Sequence, residues 1–494
     1  MLLKKLAAQA EGAKLYGMEH AEVEIKRLTT DSRNQTENGL FFCLSGENAD
    51  GHDCAAQALK NGAVALVCER RLELDAPQIV VQDTRLALAK LSGYFYGNPS
   101  QRMKVIGITG TNGKTTTSHM LATILKTAGK RVGVIGTLGI FYGDRKFPSA
   151  LTTPDPVELQ ETLAQMYVCG VEYVIMEVSA HALYYRKTSG VQFAACIFTN
   201  FTQDHLDFFQ TMKSYKKAKE KLFLKEVCPV AFLNGDDETG REIGEMRSKT
   251  ASKETRTFFY GLQTPTDAFA LITEENIRAT EAMLNINDKL CRVKLSMTGR
   301  HNLYNALAAA ACAMELGISA SAIENGLAQV KGVSGRLEYA GSFKQASIYV
   351  DFAHTPDGLA KSLSALKKYC TGRTICLFGC GGNRDKAKRP LMGEVAAQGT
   401  DFCVLTSDNP RYEDPLDIIA DIEKGYRRFS VKYVVVPDRK KAIEYAMDYL
   451  KGGDVLLIAG KGGEEHQEIM GIKYPFNDNA IVEELLEKKG KRPL

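Results

Sequence analysis

The chain has 494 residues, with 63 Lys+Arg against 59 Asp+Glu, a net charge of +4 and a hydrophobic fraction of 44%. At roughly 100–200 residues per domain, that length suggests two to four domains. Acids and bases are mixed along it, so there is no basic stripe for nucleic acid, and no apolar run approaches the ~20 residues of a membrane span.

The start, "MLLKKLAAQAEG", has too short an apolar core for a signal peptide. The twelve cysteines are scattered without CxxC pairs, and Cys196, Cys376 and Cys403 sit in apolar runs, as expected of reduced core cysteines in a cytoplasmic protein. The first hundred residues mix helix and strand patterns. "YGNPSQRMK" (Tyr96–Lys104) and "KGVSGRLEYAG" (Lys331–Gly341) carry turn residues ahead of strands and mark two seams. They divide the chain into 1–100, 101–334 and 335–494.

In the middle segment "KVIGI", "RVGVIG", "EYVIMEV", "AACIFTN" and "PVAFLN" form short apolar runs, and in the last "ASIYVDF", "TICLFGC", "FCVLTSD", "KYVVVPD" and "DVLLIAG" do the same. Amphipathic stretches such as Pro356–Lys368 and Arg439–Leu450 lie between them. This alternation predicts parallel sheets covered on both faces. The expected fold is α/β in three domains: a mixed N-terminal one, a central P-loop ATPase-like one and a C-terminal Rossmann-like one. The stretch Phe269–Leu295 breaks the pattern and predicts a small antiparallel insertion. The basic end "KKGKRPL" reads as a solvated tail.

Polar, glycine-rich segments follow the strands, where open α/β sheets place their ligands. The first is "GTNGKTT", Gly110 to Thr116, between a strand and a predicted helix Thr115–Ala128. Its glycines let backbone N–H groups turn toward phosphate, Lys114 would neutralise it, and Thr115 would bind Mg2+. The longer phosphate-loop pattern wants a glycine at the position of Ile108, so this is the shorter GxxGKT form. Glu177 at one strand end, and Asp204 and His205 at another, offer a metal site. Histidine is unusual around a hard cation, which suggests a second metal with different coordination.

"GTNGKTT", "EVSAHAL", "TNFTQDHLDF", "YKKAKEKLF", "GRHNLYNALAA", "GRLE", "DFAHTPD", "FGCGGNRDKAKRPLMG" and "SDNPR" occur in this order, preceded by "TTDSRNQTENGLFF" and "GHDCAAQALKNGAVAL". Together they resemble the Mur ligases of peptidoglycan synthesis, over nearly the whole chain. The resemblance implies a first domain for a uridine nucleotide, a second for ATP and a third for an amino acid. It implies ATP-driven phosphorylation of the carboxylate of a UDP-N-acetylmuramoyl-dipeptide, then attack by the amine of a diamino acid.

It gives Gly110, Thr111, Asn112, Gly113, Lys114, Thr115 and Thr116 to ATP, with Asn302, Asn305, Arg336 and Asp351 across the seam. Thr115, Glu177, His205 and Lys219 fall to Mg2+, with Lys114, His205 and Lys219 in catalysis. Lys219 matches the lysine that the family carbamylates, a change that makes a cation an oxygen ligand. Taken alone, it is one more lysine beside Lys216, Lys217 and Lys221. Ser32, Thr152, Thr153, Ser179 and Lys187 match contacts to the UDP-muramoyl peptide, with Arg186 the alternative to Lys187. Arg384, Asp408, Asn409, Pro410, Arg411, Gly460 and Glu464 match contacts to diaminopimelate.

"DNPR" resembles the signature of the diaminopimelate-adding members, and Arg411 offers a planar fork suited to a carboxylate. Its plain structural alternative is to cap the helix after Pro415 or to pair with Glu413. The chain departs from the family pattern at Leu151 (often Asn), Asn383 (often Asp) and Gly463 (often His). A folylpolyglutamate-synthase-like ligase shares the loop, but the "DSR" and "DNPR" segments argue against it. A regulatory ATP switch would leave the acceptor-side loops unexplained.

Overall fold

The computed structural model describes residues 1–17, 22–46, 49–249, 254–263 and 266–490. The end of the basic tail, 491–494, lies outside the described residues. Among those described, no helix is long and apolar enough to cross a membrane.

Three main sheets follow one another along the chain. The first has five strands: Lys14–Tyr16 lies antiparallel to Gln78–Val80, and Ala63–Cys68, Gly39–Phe42 and Arg27–Thr29 continue in parallel from there. The second has eleven strands. At its centre Lys104–Thr109 lies between Tyr173–Glu177 and Phe193–Phe198, parallel to both. Val132–Gly136 extends one side and Val230–Asn234 the other.

The central strands of this sheet are buried on both faces, which explains why they read as unbroken apolar runs. Ile106, Ile108 and Ile175 pack with Met120 and Leu121 of helix Lys114–Thr127 and Leu303 and Leu307 of helix Arg300–Glu315. Val105, Val174 and Met176 point the other way, to Leu159 and Leu163 of helix Pro156–Val168.

Three features go beyond the sequence expectation or differ from it. Strand Arg256–Gly261, not foreseen, adds in parallel to Val230–Asn234. The stretch expected as a small antiparallel insertion is antiparallel, and it continues the large sheet. Ala268–Asn276 starts parallel to Arg256–Gly261, and Ala279–Ile286 and Lys289–Leu295 follow antiparallel. Its inward residues Ala282, Leu284, Cys291 and Val293 join the central core, which a free-standing hairpin would leave exposed. The helix after the phosphate loop begins at Lys114, one residue earlier than expected.

The third main sheet has six strands, ordered Glu338–Phe343, Ala346–Asp351, Val455–Ala459, Thr374–Phe378, Phe402–Leu405 and Lys432–Val435; only the first is antiparallel. A two-stranded hairpin, His466–Ile469 with Ile472–Pro475, stands apart from it. Among the described residues all twelve cysteines are free.

On one face of the third sheet Arg439 and Asp478, both fully buried, form a two-pronged ion pair at 2.9 and 2.7 Å, and Arg439 Nη2 also donates to the Ala459 carbonyl at 2.9 Å. Removing one partner strands a buried charge. Asp478→Ala is therefore expected to cost about 3–5 kcal/mol of stability, read as a lower urea midpoint at unchanged slope. A loss below about 1 kcal/mol, the scale of an exposed pair, would mean that the pair is not closed to water.

Candidate active site

The loop Gly110–Gly113 leaves the carboxyl end of the central strand. Gly110 at φ +149° and Gly113 at φ +88° adopt backbone conformations that favour glycine, and a side chain at Gly113 would run into Asn305 Oδ1. Lys114 Nζ folds back on the loop and donates to the carbonyls of Gly110 and Thr111, both at 2.9 Å. Thr115 Oγ1 donates to Glu177 Oε2 at 2.9 Å and accepts from Arg336 Nη2 at 3.0 Å. Glu177, buried at its strand end, also accepts from the amide and hydroxyl of Thr137 at 3.0 and 3.1 Å. Burial pushes both the Lys114 ammonium and the Arg336 guanidinium down from their ordinary values.

Lys219 lies beneath the same loop, 1% exposed. Its ammonium donates to the Gly110 carbonyl at 2.8 Å and sits 4.6 Å over the Tyr215 ring. Burial, and then the charge of Lys114, drive it well below the ordinary lysine value. Asp204, also buried, has His205 Nε2 at 3.3 Å, His354 Nε2 at 3.5 Å and Lys388 Nζ at 3.3 Å. Burial works to raise the Asp204 carboxyl, but the His354 hydrogen bond and the Lys388 charge outweigh it and hold it well below the usual range. His205 takes a left-handed backbone, φ +55°, and burial lowers its imidazole to about 3.

Among the described residues, no three His, Cys, Asp or Glu side chains are grouped to hold a metal ion. Of the four residues assigned to Mg2+ from the sequence, Thr115 and Glu177 touch. His205 is turned to Asp204 and Lys219 to the loop carbonyl.

A cavity of about 680 Å3 opens beside the loop, between the second and third sheets. Asn302, Asn305, Arg336 and Asp351 line it, together with Asn112, Gly113 and Thr116, so these seven sequence candidates share one pocket. Asp351 braces its wall: the two carboxylate oxygens accept the amides of Leu337 and Ala353 at 2.6 Å each, and burial raises the group to about 6. Asn112 Nδ2 spans the seam to Asp357 Oδ2 at 3.1 Å.

On the other side of Glu177, Thr153 Oγ1 donates to the Glu177 carbonyl at 2.8 Å and accepts from Ser179 N at 3.0 Å, and the hydroxyls of Thr152 and Thr137 lie 3.2 Å apart. Lys187 pairs with Asp155 at 2.7 Å, while Arg186 reaches Asp83 of the first domain at 2.7 Å. Ser32 lies in the first domain, its carbonyl bound by Asn61 at 2.7 Å.

In the third domain the loops after three strands converge. Asn409, 3% exposed, donates from Nδ2 to Glu464 Oε2 at 2.9 Å, and the fully buried Lys461 bridges Asn409 Oδ1 and Glu464 Oε2 at 2.9 and 2.7 Å. Gly460, at φ +114°, lies so near Asp408 that a Cβ there would come within 2.6 Å of its carboxylate. Gly382 N donates to the Asn409 carbonyl at 2.9 Å, joining the loop of exposed Arg384 to that of Pro410. Arg411 neither caps the following helix, whose cap is Asp414, nor pairs with Glu413, which binds Arg389. Its partner is Glu468, at 3.0 Å.

The sequence alone did not single out His354, Lys388, Lys461 or Glu468. Lys388 opens helix Lys388–Gly399 and the others sit in polar loops or the hairpin, and apart from Glu464 their partners are tens of residues away or more, so no local spacing announces them.

Residues 108–313 match the Mur ligase middle domain, 335–462 the Mur ligase glutamate ligase domain and 24–96 the Mur ligase family catalytic domain. A UDP-N-acetylmuramoyl-L-alanyl-D-glutamate–2,6-diaminopimelate ligase from Geobacillus kaustophilus is 42% identical over 480 residues, covering 94% of this chain and 96% of its own. Another of that name, numbered 1, from Clostridium acetobutylicum is 40% identical over 492 residues, covering 99% and 100%. A solved structure of such a ligase superposes with a TM-score of 0.70 at 27% identity, covering all of both chains. With matches of this extent in each of its three segments, the chain belongs to the Mur ligase family.

Proposed function

We propose that this protein joins meso-2,6-diaminopimelate to UDP-N-acetylmuramoyl-L-alanyl-D-glutamate with hydrolysis of ATP to ADP and phosphate. The observation that carries the reading is one of placement. The phosphate loop and the "DNPR" loop, about 300 residues apart, belong to two sheets whose carboxyl ends are joined across one cleft by Arg336–Thr115, Asn112–Asp357 and Lys388–Asp204. A carboxylate activated at the first loop then meets an amine held at the second. The names of the 40–42% identical relatives support the same substrates.

In this scheme the loop amides and Lys114 hold the transferring phosphoryl group, and Arg336 adds positive charge beside it. The peptide carboxylate attacks phosphorus and the bond to ADP breaks, leaving an acyl phosphate. The amine, deprotonated, attacks its carbonyl carbon; the tetrahedral intermediate expels phosphate and the amide remains. Most of the protein's contribution is positioning and charge neutralisation.

The donors present suit Mg2+. The Thr115 hydroxyl and Glu177 carboxylate are hard oxygen ligands, and Mg2+ takes few protein ligands alongside phosphate oxygens. His205, turned to Asp204 in this structure, would join them as a nitrogen ligand. When bound, the ion would supply charge neutralisation on the phosphoryl oxygens. Lys219 suits carbamylation. Its burial favours the neutral amine, the form that adds CO2 with loss of a proton, and the carbamate would add oxygen ligands. Ser32, Thr152, Thr153, Ser179 and Lys187 would hold the UDP-muramoyl peptide. Arg384, Asp408, Asn409, Pro410, Arg411, Gly460 and Glu464 would hold diaminopimelate, with Glu464 accepting from its ammonium.

Phosphate release is expected only when both the UDP-dipeptide and the amino acid are present, and Lys114→Ala should abolish ligation at an unchanged melting temperature. Turnover of ATP without an acceptor, or a near-normal Lys114→Ala enzyme, would count against the scheme.

Lys219→Ala should lose most activity and regain part of it with a small carboxylate in solution. Mass spectrometry of native protein should find a carbamate on Lys219; an unmodified lysine in active enzyme would refute the assignment.

With equal diaminopimelate and lysine, the wild type should incorporate diaminopimelate by a factor of up to about 10⁴, because lysine leaves a site arginine without its anion. Arg411→Ala should erase most of that preference, and preferential lysine incorporation by the wild type would overturn the substrate assignment.

A further inference from the structure

The "DNPR" loop does not hold its own shape. It is bound along one side by the hairpin His466–Pro475, as a third strand would be. Arg411 N donates to the Glu468 carbonyl at 3.1 Å, and Met470 N donates to the Arg411 carbonyl at 2.7 Å, a parallel bridge between Arg411 and Ile469. Glu468 N donates to Asn409 Oδ1 at 2.9 Å, and Gln467 Nε2 donates to the Asp408 carbonyl at 2.6 Å. The loop needs this support, because Arg411 is held at φ +53°, a left-handed conformation uncommon for a residue with a side chain.

The hairpin also reaches the guanidinium. Arg411 Nε donates to Glu468 Oε2 at 3.0 Å, and Nη1 donates to the Gly382 carbonyl at 2.8 Å. A guanidinium has five N–H donors in a rigid plane. With Nε and one Nη1 hydrogen engaged, that plane can no longer rotate, and Nη2 with the second Nη1 hydrogen stays available to a carboxylate. Glu468 is about a quarter exposed and Arg411 about a fifth, so the pair is partly shielded from bulk water.

We infer that Glu468 is a positioning residue for amino-acid selection: through Nε it orients the Arg411 fork toward the far carboxylate of the incoming diamino acid. The inference rests on the reading of Arg411 given above. A side chain that merely stabilised the loop would affect every acceptor alike. One that aims the fork affects only acceptors bearing the far carboxylate. The main-chain bonds of Glu468 to Asn409 and Arg411 do not need its carboxylate, so substitution leaves the hairpin attached.

The test measures kcat and KM for diaminopimelate and for lysine in wild type, Glu468→Ala, Glu468→Gln, Arg411→Ala and the double Ala variant. Glu468→Ala should reduce the diaminopimelate-to-lysine ratio of kcat/KM about tenfold or more, through KM for diaminopimelate, with kcat for both acceptors within about twofold. Glu468→Gln keeps an acceptor oxygen for Nε and should retain the ratio within about threefold of wild type. In the Arg411→Ala background, removing Glu468 should change the ratio no further. An unchanged ratio in Glu468→Ala, or an equal loss for both acceptors, overturns the inference. So does a further drop in the double variant. If instead Arg411→Ala keeps the wild-type preference, the reading of Arg411 itself falls, and this inference with it.

Discussion

The arrangement of this molecule turns on positive charge held out of water. Lys114, Lys219 and Arg336 converge on the Gly110–Thr115 loop, and burial lowers the pKa of each. Among the described residues three buried carboxylates stand near them, Glu177, Asp204 and Asp351, the last held by the amides of Leu337 and Ala353. Glu177 is occupied by Thr115 and Thr137, and Asp204 by Lys388 and two histidines. Lys219 has a carbonyl and a ring face for company, and no carboxylate within ion-pair distance among the described residues. Cations buried this way weaken the fold unless an anion completes them. A phosphate-bearing ligand does so, and the glycines let the loop's backbone amides approach it. Local stability is thus given up where chemistry needs the charge.

The same constraint explains why the site spans domains. A sheet edge offers backbone and side chains from one side only, and the loop needs a second wall. Arg336 on the seam supplies one contact, Asn112 reaches Asp357, and Lys388 reaches Asp204. All three are polar, as contacts between domains of one chain often are. The buried Arg439–Asp478 pair, by contrast, lies within one domain.

On the acceptor side the device is mutual orientation. Lys461, without exposure, ties Asn409 to Glu464, and the hairpin ties the "DNPR" loop through Glu468. The geometry of these loops is borrowed from neighbouring elements, which hold their side chains in place.

Much of this was legible in the chain. The apolar runs at 104–108, 173–177, 346–351 and 455–459 are strands because each is buried on both faces, and a continuous run has no other stable use between helices. The loop at Gly110–Thr115 was legible because its glycines, lysine and strand–helix context are all local. Strand Arg256–Gly261 and the attachment of 268–295 to the large sheet were not, since an alternating hairpin looks the same whether free or paired at an edge. Nor was the partner of Arg411: Glu413, two residues away, is the local expectation, yet Arg389 holds it and Glu468 takes the arginine. The sequence by itself determined elements and local loops, because periodicity and turn chemistry act within a few residues. Only the tertiary structure decided which charges meet, because electrostatics acts across space between groups as many as 319 residues apart, as in Lys146 and Glu465.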